Sequence, residues 1–165
     1  MQYVPAKRAF LKGRFDQPDH IRPPGAVGGF VDACTQCGDC ATACPGEIIY
    51  RDADGFPVIN LLAGECLLCS GCADACEAGA ILPTDTWDIR ATVADSCLSM
   101  SAVTCRSCED QCDARAIRFQ LQSGGRSTPL IDPETCTGCG ACAAPCPVGA
   151  IRFYQRQPQP KETPC

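Results

Sequence analysis

At 165 residues the chain has room for one ordinary domain or two small ones, and its supply of large apolar side chains is modest for either. Seventeen cysteines mark either a disulfide scaffold or a metal protein, so something besides an apolar core is expected to hold the chain together. The net charge is −5 and no apolar run approaches the ~20 residues of a membrane span, so no nucleic-acid partner and no membrane span are expected.

Residues 1–31 read as a basic arm: five Lys/Arg against Asp16 and Asp19 give net +3, while the other 134 residues carry nine against seventeen, net −8. Such an arm is either a solvated surface or a docking element. Within it, Ala6-Lys7-Arg8-Ala9-Phe10-Leu11-Lys12 resembles a twin-arginine export motif with Lys for the first Arg. The segment that follows is too polar for an export core, so a soluble, unexported protein is expected. His20, the only histidine, reads as an ordinary arm residue.

The first cysteine run, CTQCGDCATACP, spans Cys34 to Pro45. Ile48-Ile49-Tyr50, the turn Asp52-Ala53-Asp54-Gly55 and Val58-Ile59-Asn60 then predict a hairpin leading to a second run, CLLCSGCADACE, at Cys66 to Glu77. Ala80-Ile81-Leu82 is a candidate closing strand. A linker over 83–94 contains Pro83, Trp87 and Ile89, and Trp87 is expected to pack between two modules. The same grammar then repeats. A distorted run, CLSMSAVTCRSCEDQCD, covers Cys97 to Asp113. Ala116-Ile117-Arg118-Phe119, a turn at Gly124-Gly125 and Leu130-Ile131-Asp132 follow. CTGCGACAAPCP at Cys136 to Pro147 and a closing strand at Ala150-Ile151-Arg152-Phe153 complete it. The modules are therefore placed at 32–82 and 95–154, and the polar, proline-rich segment 155–165 is expected to be a disordered tail in which Cys165 is incidental.

Thiols at offsets of three, three and four narrow the chemistry. In C-x2-C-x2-C, mutual disulfides are strained and outside partners would have to converge on one patch. A zinc tetrahedron joins two separated knuckles and leaves the third thiol without a place, so zinc stays open for the third run alone. A cubane iron–sulfur cluster accepts three thiolates from one such loop. A short helical turn after the third thiol carries the fourth toward a neighbouring cluster, and proline stops that turn.

The pattern resembles the bacterial two-cluster ferredoxins, whose C-x2-C-x2-C-x3-C-P signature matches Cys34, Cys37, Cys40, Cys44 and Pro45, and again Cys136, Cys139, Cys142, Cys146 and Pro147. The resemblance implies an α+β fold of two tandem ferredoxin-like 2[4Fe-4S] modules with short hairpins, short helices and little regular structure. Carried over residue by residue, it implies one cluster on Cys34, Cys37, Cys40 and Cys76 and its partner on Cys66, Cys69, Cys72 and Cys44. It likewise implies a third on Cys136, Cys139, Cys142 and Cys112 and a fourth on Cys97, Cys105, Cys108 and Cys146, four [4Fe-4S] clusters in all. Two features depart from the signature. Glu77 and Asp113 stand where proline is expected, which loosens the end of the turn. Cys97 lies eight positions before Cys105, so its thiol must return across Leu98 to Thr104 or leave a three-iron cluster.

Glycines 38, 71, 138 and 140 stand between these cysteines, where a missing side chain admits backbone amides to the cluster or serves a plain turn. Arg106 inside the third run and Asp39 inside the first predict unequal potentials, with reduction favoured beside Arg106. Four clusters of about two negative charges each would make the body strongly anionic and favour basic partner surfaces.

No nucleophile and base pair and no glycine-rich nucleotide motif accompanies the cysteines, so the chain is not expected to be an enzyme. The AKRAFLK segment, IRPPG at Ile21 to Gly25, the GFPVIN strand at Gly55 to Asn60, Trp87-Asp88 and the expanded third run together resemble the ferredoxin-type NapF family, the accessory proteins of periplasmic nitrate reductase. That resemblance implies a cytoplasmic protein that meets the catalytic subunit before export. There it assists maturation by electron transfer to, or assembly of, the subunit's [4Fe-4S] centre, with an unknown electron donor. The alternatives are a polyferredoxin electron-transfer subunit of another oxidoreductase complex and a non-redox interaction module stapled by metal or disulfides.

Overall fold

The computed structural model describes residues 21–156. The export-like segment, His20, most of the basic arm, Cys165 and nearly all of the proline-rich tail lie outside the described residues.

Short elements connected by tight turns dominate. In chain order they are α1 (Phe30–Ala33), α2 (Asp39–Thr42), β1 (Ile49–Arg51), β2 (Pro57–Ile59), α3 (Gly71–Asp74), β3 (Ile89–Val93), a 3-10 turn (Leu98–Ser101), α4 (Ser107–Asp110), β4 (Ile117–Leu121), β5 (Ser127–Ile131) and β6 (Ile151–Gln155). The strands form three two-stranded antiparallel sheets. β1 pairs with β2 in the register Ile49 opposite Ile59, and β4 with β5 in the register Ile117 opposite Ile131. Both hairpins fall where short strand-like segments on either side of turn signals predict them.

The third sheet pairs β3 with β6, Ile89 opposite Gln155 and Val93 opposite Ile151. The segment 83–94, expected to be a linker, therefore supplies a strand. Ile89 and Ala91 face inward and are buried, while Arg90 and Thr92 alternate with them. The first module has a counterpart in a segment expected to be part of the arm. Ala26 bridges Ile81, Val27 N–H donates to Ala80 O (3.1 Å) and Leu82 N–H donates to Gly25 O (2.9 Å). The equivalent bond in the second module runs from Ala94 N–H to Ala150 O (2.8 Å). Each module is thus closed by the residues that precede its first cysteine run.

IRPPG acts as a strut. Ile21 O accepts from Ile59 N–H at 2.7 Å, and Arg22 spans to Asp52 Oδ2 (3.0 Å) and Pro57 O (3.0 Å). Its guanidinium lies 5.2 Å from the Phe30 ring centre and 5.7 Å from that of Phe56. Gly25 admits no side chain, because a Cβ there would stand 1.8 Å from Leu82 O. The core is continuous across both modules, joining Ile48, Leu61 and Ile81 to Ile89, Ile151 and Phe153, and it includes the thiols Cys40 and Cys142. Trp87 packs against it, half-buried. Among the described residues no helix is long and apolar enough to cross a membrane.

Candidate metal centres

In the three regular runs the backbone turns left-handed on either side of the second thiol. The residues are Gln36 (φ 59°) and Gly38 (95°), Leu68 (51°) and Ser70 (60°), and Gly138 (75°) and Gly140 (92°). The alternation coils each loop, and concavities of this kind gather backbone N–H groups around negative charge, including that of iron–sulfur centres. For Gln36, Leu68 and Ser70, which carry a Cβ, this conformation costs about 1–2 kcal/mol each and persists only where the surroundings impose it. The third thiol sits in the first turn of a short helix, Cys40 in α2, Cys72 in α3 and Cys108 in α4, whereas the fourth run makes a looser turn from Gly140 to Cys146.

Beyond the fourth thiol all four runs make the same bend. Glu47 N–H donates to Cys44 O (3.1 Å), Gly79 to Cys76 (3.1 Å), Arg115 to Cys112 (2.8 Å) and Gly149 to Cys146 (3.1 Å), each donor residue at positive φ. Glu77 and Asp113 therefore keep the bend that Pro45 and Pro147 make elsewhere, because the hydrogen bond and the left-handed residue set it.

These turns place the thiols around four cavities. Cys34, Cys37, Cys40 and Cys76 line one, and Cys44, Cys66, Cys69 and Cys72 a second. Cys112, Cys136, Cys139 and Cys142 line a third, and Cys97, Cys105, Cys108 and Cys146 a fourth. In that order they leave about 420, 520, 350 and 340 Å³ free of protein atoms. The remaining walls are largely apolar, with Ile48 and Ala73 at the second and Phe119 and Ile151 at the fourth. Among the described residues no three His, Cys, Asp or Glu side chains are set to grip a single metal ion. The thiols stand instead around a wider space, as a multi-iron group bound at its corners requires, so donor set and shape fit a cubane cluster.

Burial and crowding raise the pKa of five of the cavity thiols. Desolvation, with neighbouring thiols adding to it, pushes Cys142 up to about 12 and Cys108 to about 11. Burial likewise pushes Cys40 up to about 11, the Ala41 amide opposing the rise and Cys37 and Cys34 adding to it. Burial also raises Cys66 and Cys72. Ionised, such a set needs positive charge in its midst, which iron supplies.

The expanded third run is accommodated by the 3-10 turn. Val103 N–H donates to Leu98 O (3.1 Å), Ala102 turns left-handed, and Cys97 comes back to line the same cavity as Cys105 and Cys108. Ser99, 1% exposed, has its hydroxyl 3.2 Å from Cys97 Sγ. Sequence reasoning passed over Ser99, which looks like any loop serine until the turn folds it inward. In this module Ala116 N–H donates to Cys112 Sγ (3.3 Å) and Ala150 N–H to Cys146 Sγ (3.1 Å), bonds that stabilise negative charge on sulfur.

The charge contrast read from Arg106 and Asp39 shrinks in three dimensions. Arg106 pairs with Glu109 (3.2 Å) and lies over Phe119. Arg51, distant in sequence, reaches over the first run and donates to Cys37 O at 3.1 Å, setting a positive charge beside Asp39's loop.

Comparison with known proteins agrees with this geometry. A sequence profile of the 4Fe-4S dicluster domain matches residues 33–81, and another of the same description matches 103–150. The chain is 36% identical over 163 residues to the methylamine utilization ferredoxin-type protein MauM of Methylorubrum extorquens, covering 83% of this chain and 73% of that protein. It is 41% identical to the ferredoxin-type protein NapF of Haemophilus influenzae over 88% of this chain and 91% of that one. Identity to the ferredoxin-type protein NapF of Escherichia coli K12 is 40%, covering 92% and 95% of the two chains. With two dicluster domains in tandem and this likeness along nearly its whole length, the chain belongs to the NapF family of ferredoxin-type iron–sulfur proteins.

Proposed function

We propose that the sixteen cysteines hold four [4Fe-4S] clusters in the crossed sets that line the four cavities. On this reading the chain is a cytoplasmic accessory protein, not an enzyme. It acts on the catalytic subunit of periplasmic nitrate reductase before export, by electron transfer to, or assembly of, that subunit's [4Fe-4S] centre. The observation that carries the cluster assignment is that each cavity is ringed by three thiols of one run and one of its partner run. Bound clusters supply reversible one-electron storage. The chain's own residues exclude water with apolar walls, bend the loops around the site and donate N–H groups to sulfur. Likeness to NapF along nearly the whole chain supports the maturation role.

Iron and acid-labile sulfide analysis of protein purified without oxygen tests the cofactor, and colourless, iron-free, fully folded protein would overturn it. Capture of the unexported catalytic subunit tests the partner. Normal maturation of that subunit in cells lacking this chain counts against the role. The likeness to MauM, named for methylamine utilization, favours a second reading in which the chain is an electron-transfer subunit of another oxidoreductase complex. A lasting stoichiometric complex with such an enzyme would distinguish it.

A further inference from the structure

The modules meet through their cysteine loops. Cys66 N–H donates to Cys139 O at 2.7 Å, so a single backbone hydrogen bond joins a residue of the second cavity to a residue of the third. Gly140 allows this approach, and Gly138 seats its own loop against β3. A Cβ on Gly140 would lie 2.8 Å from Leu61 Cδ2 and 2.9 Å from Leu61 Cβ, and one on Gly138 would lie 2.1 Å from Ile89 O. Leu61 and Ile89 belong to the core shared by both modules, so the contact is held by packing on both sides.

Within a module, neighbouring cavities are one short turn apart. Cys40 lies in α2 and Cys44 just beyond it, yet they line different cavities, and the same holds for Cys72 in α3 and Cys76 beyond it. Cys108 in α4 and Cys112 beyond it divide between cavities in the same way, as do Cys142 and Cys146 of the last turn. Four residues of helix rise about 6 Å. The cavities therefore form a row, named by their first thiols Cys34, Cys66, Cys136 and Cys97, with the Cys66–Cys139 bond at its middle.

We propose that this contact is the electron crossing between the modules, so that the four sites form one path whose ends are the Cys34 and Cys97 sites. The inference rests on the cluster assignment above. In the crossing step one electron leaves the Cys66 site and enters the Cys136 site. The first is oxidised by one electron as the second is reduced by one, with no bond made or broken and no proton moved. A one-electron reductant supplies one end and a one-electron acceptor drains the other.

Two full-length variants test the order. In the inner-pair variant Cys34, Cys37, Cys97 and Cys105 become Ala; in the outer-pair variant Cys66, Cys69, Cys136 and Cys139 become Ala. Each is purified without oxygen, reduced with dithionite and measured by electron paramagnetic resonance. The inner pair is expected to give a spectrum split and broadened by coupling of two neighbouring spins, and the outer pair two sharp, independent signals. Independent signals from the inner pair, or coupling in the outer pair, overturn the proposal, and either variant decides alone if the other fails to retain iron. Iron analysis of the parent separates the two levels. A parent without iron defeats the cluster assignment and the path together, whereas a loaded parent with uncoupled inner sites defeats the path alone.

Discussion

The two modules share one grammar but hold their thiols at different depths. In the first, Cys37 and Cys69 are exposed, one at each cavity; in the second, every cavity thiol is buried or half-buried. The second module is closed by five paired residues of β3 and β6, whereas among the described residues the first relies on the bridge at Ala26, the hydrogen bonds beside it and the Arg22 strut. Depth here follows closure: a full strand seals what a strut leaves partly open. The regularity of a motif does not predict its shielding, since the irregular third run contributes to the better covered half.

The largest expected difference is toward oxygen. Brief exposure to air followed by alkylation should label Cys37 and Cys69 well before the thiols of the second module, read by peptide mass spectrometry. Uniform labelling would remove the contrast in depth.

Closure itself is probed next. Gly138→Ala puts a Cβ at a positive φ and 2.1 Å from the Ile89 carbonyl oxygen, which cannot move without disturbing β3. The expected loss is about 3 kcal/mol or more in chemical unfolding. Gly124→Ala has the same sign of φ with open space around it, and about 1 kcal/mol is expected. Equal losses would show that steric contact at the junction is unimportant.

In the first module Arg22→Gln removes the charged partner of Asp52, whose side chain is 5% exposed, and should cost about 2 kcal/mol. Burial works to raise the Asp52 pKa, but the Phe56 amide, Arg22 and the Asp54 amide together hold it below its ordinary 3.8. A depressed carboxylate contributes stability above its ordinary range and loses it as pH falls through the lowered value. The gap between the parent and Arg22→Gln should therefore be full near neutrality and narrow in acid. A gap independent of pH would assign the strut's worth to its aromatic stacking instead.

The smallest effect concerns Ser99. Ser99→Ala removes a hydroxyl facing Cys97 Sγ and should lower the reduction potential of that site alone, with iron content unchanged, in a redox titration. Loss of iron instead would give Ser99 a structural role in holding the 3-10 turn.

Much of this was legible from spacing, because a repeated interval of cysteines fixes which backbone turns can follow. The hairpins were equally readable, since Ile48 to Asn60 and Ala116 to Asp132 set short apolar segments on either side of strong turn signals. β3 was hidden because five residues after a proline and a tryptophan resemble a linker until β6, some sixty positions on, offers a partner. Arg51 and Ser99 were invisible for a similar reason: each acts on a loop through folding in space or through a turn that local propensity does not announce. The left-handed Leu68 and Ser70 broke the expectation that glycine marks such positions, because tertiary surroundings impose the conformation there.

The exchange of fourth thiols between runs also sets a timetable for the ribosome. The first two cavities gain their last cysteines at Cys72 and Cys76, and the other two at Cys142 and Cys146. Neither half has a finished pocket until almost all of its cysteines have been translated, and then both pockets of that half are finished within four residues of each other. Loading is thereby deferred to the end of each half and arrives there in pairs.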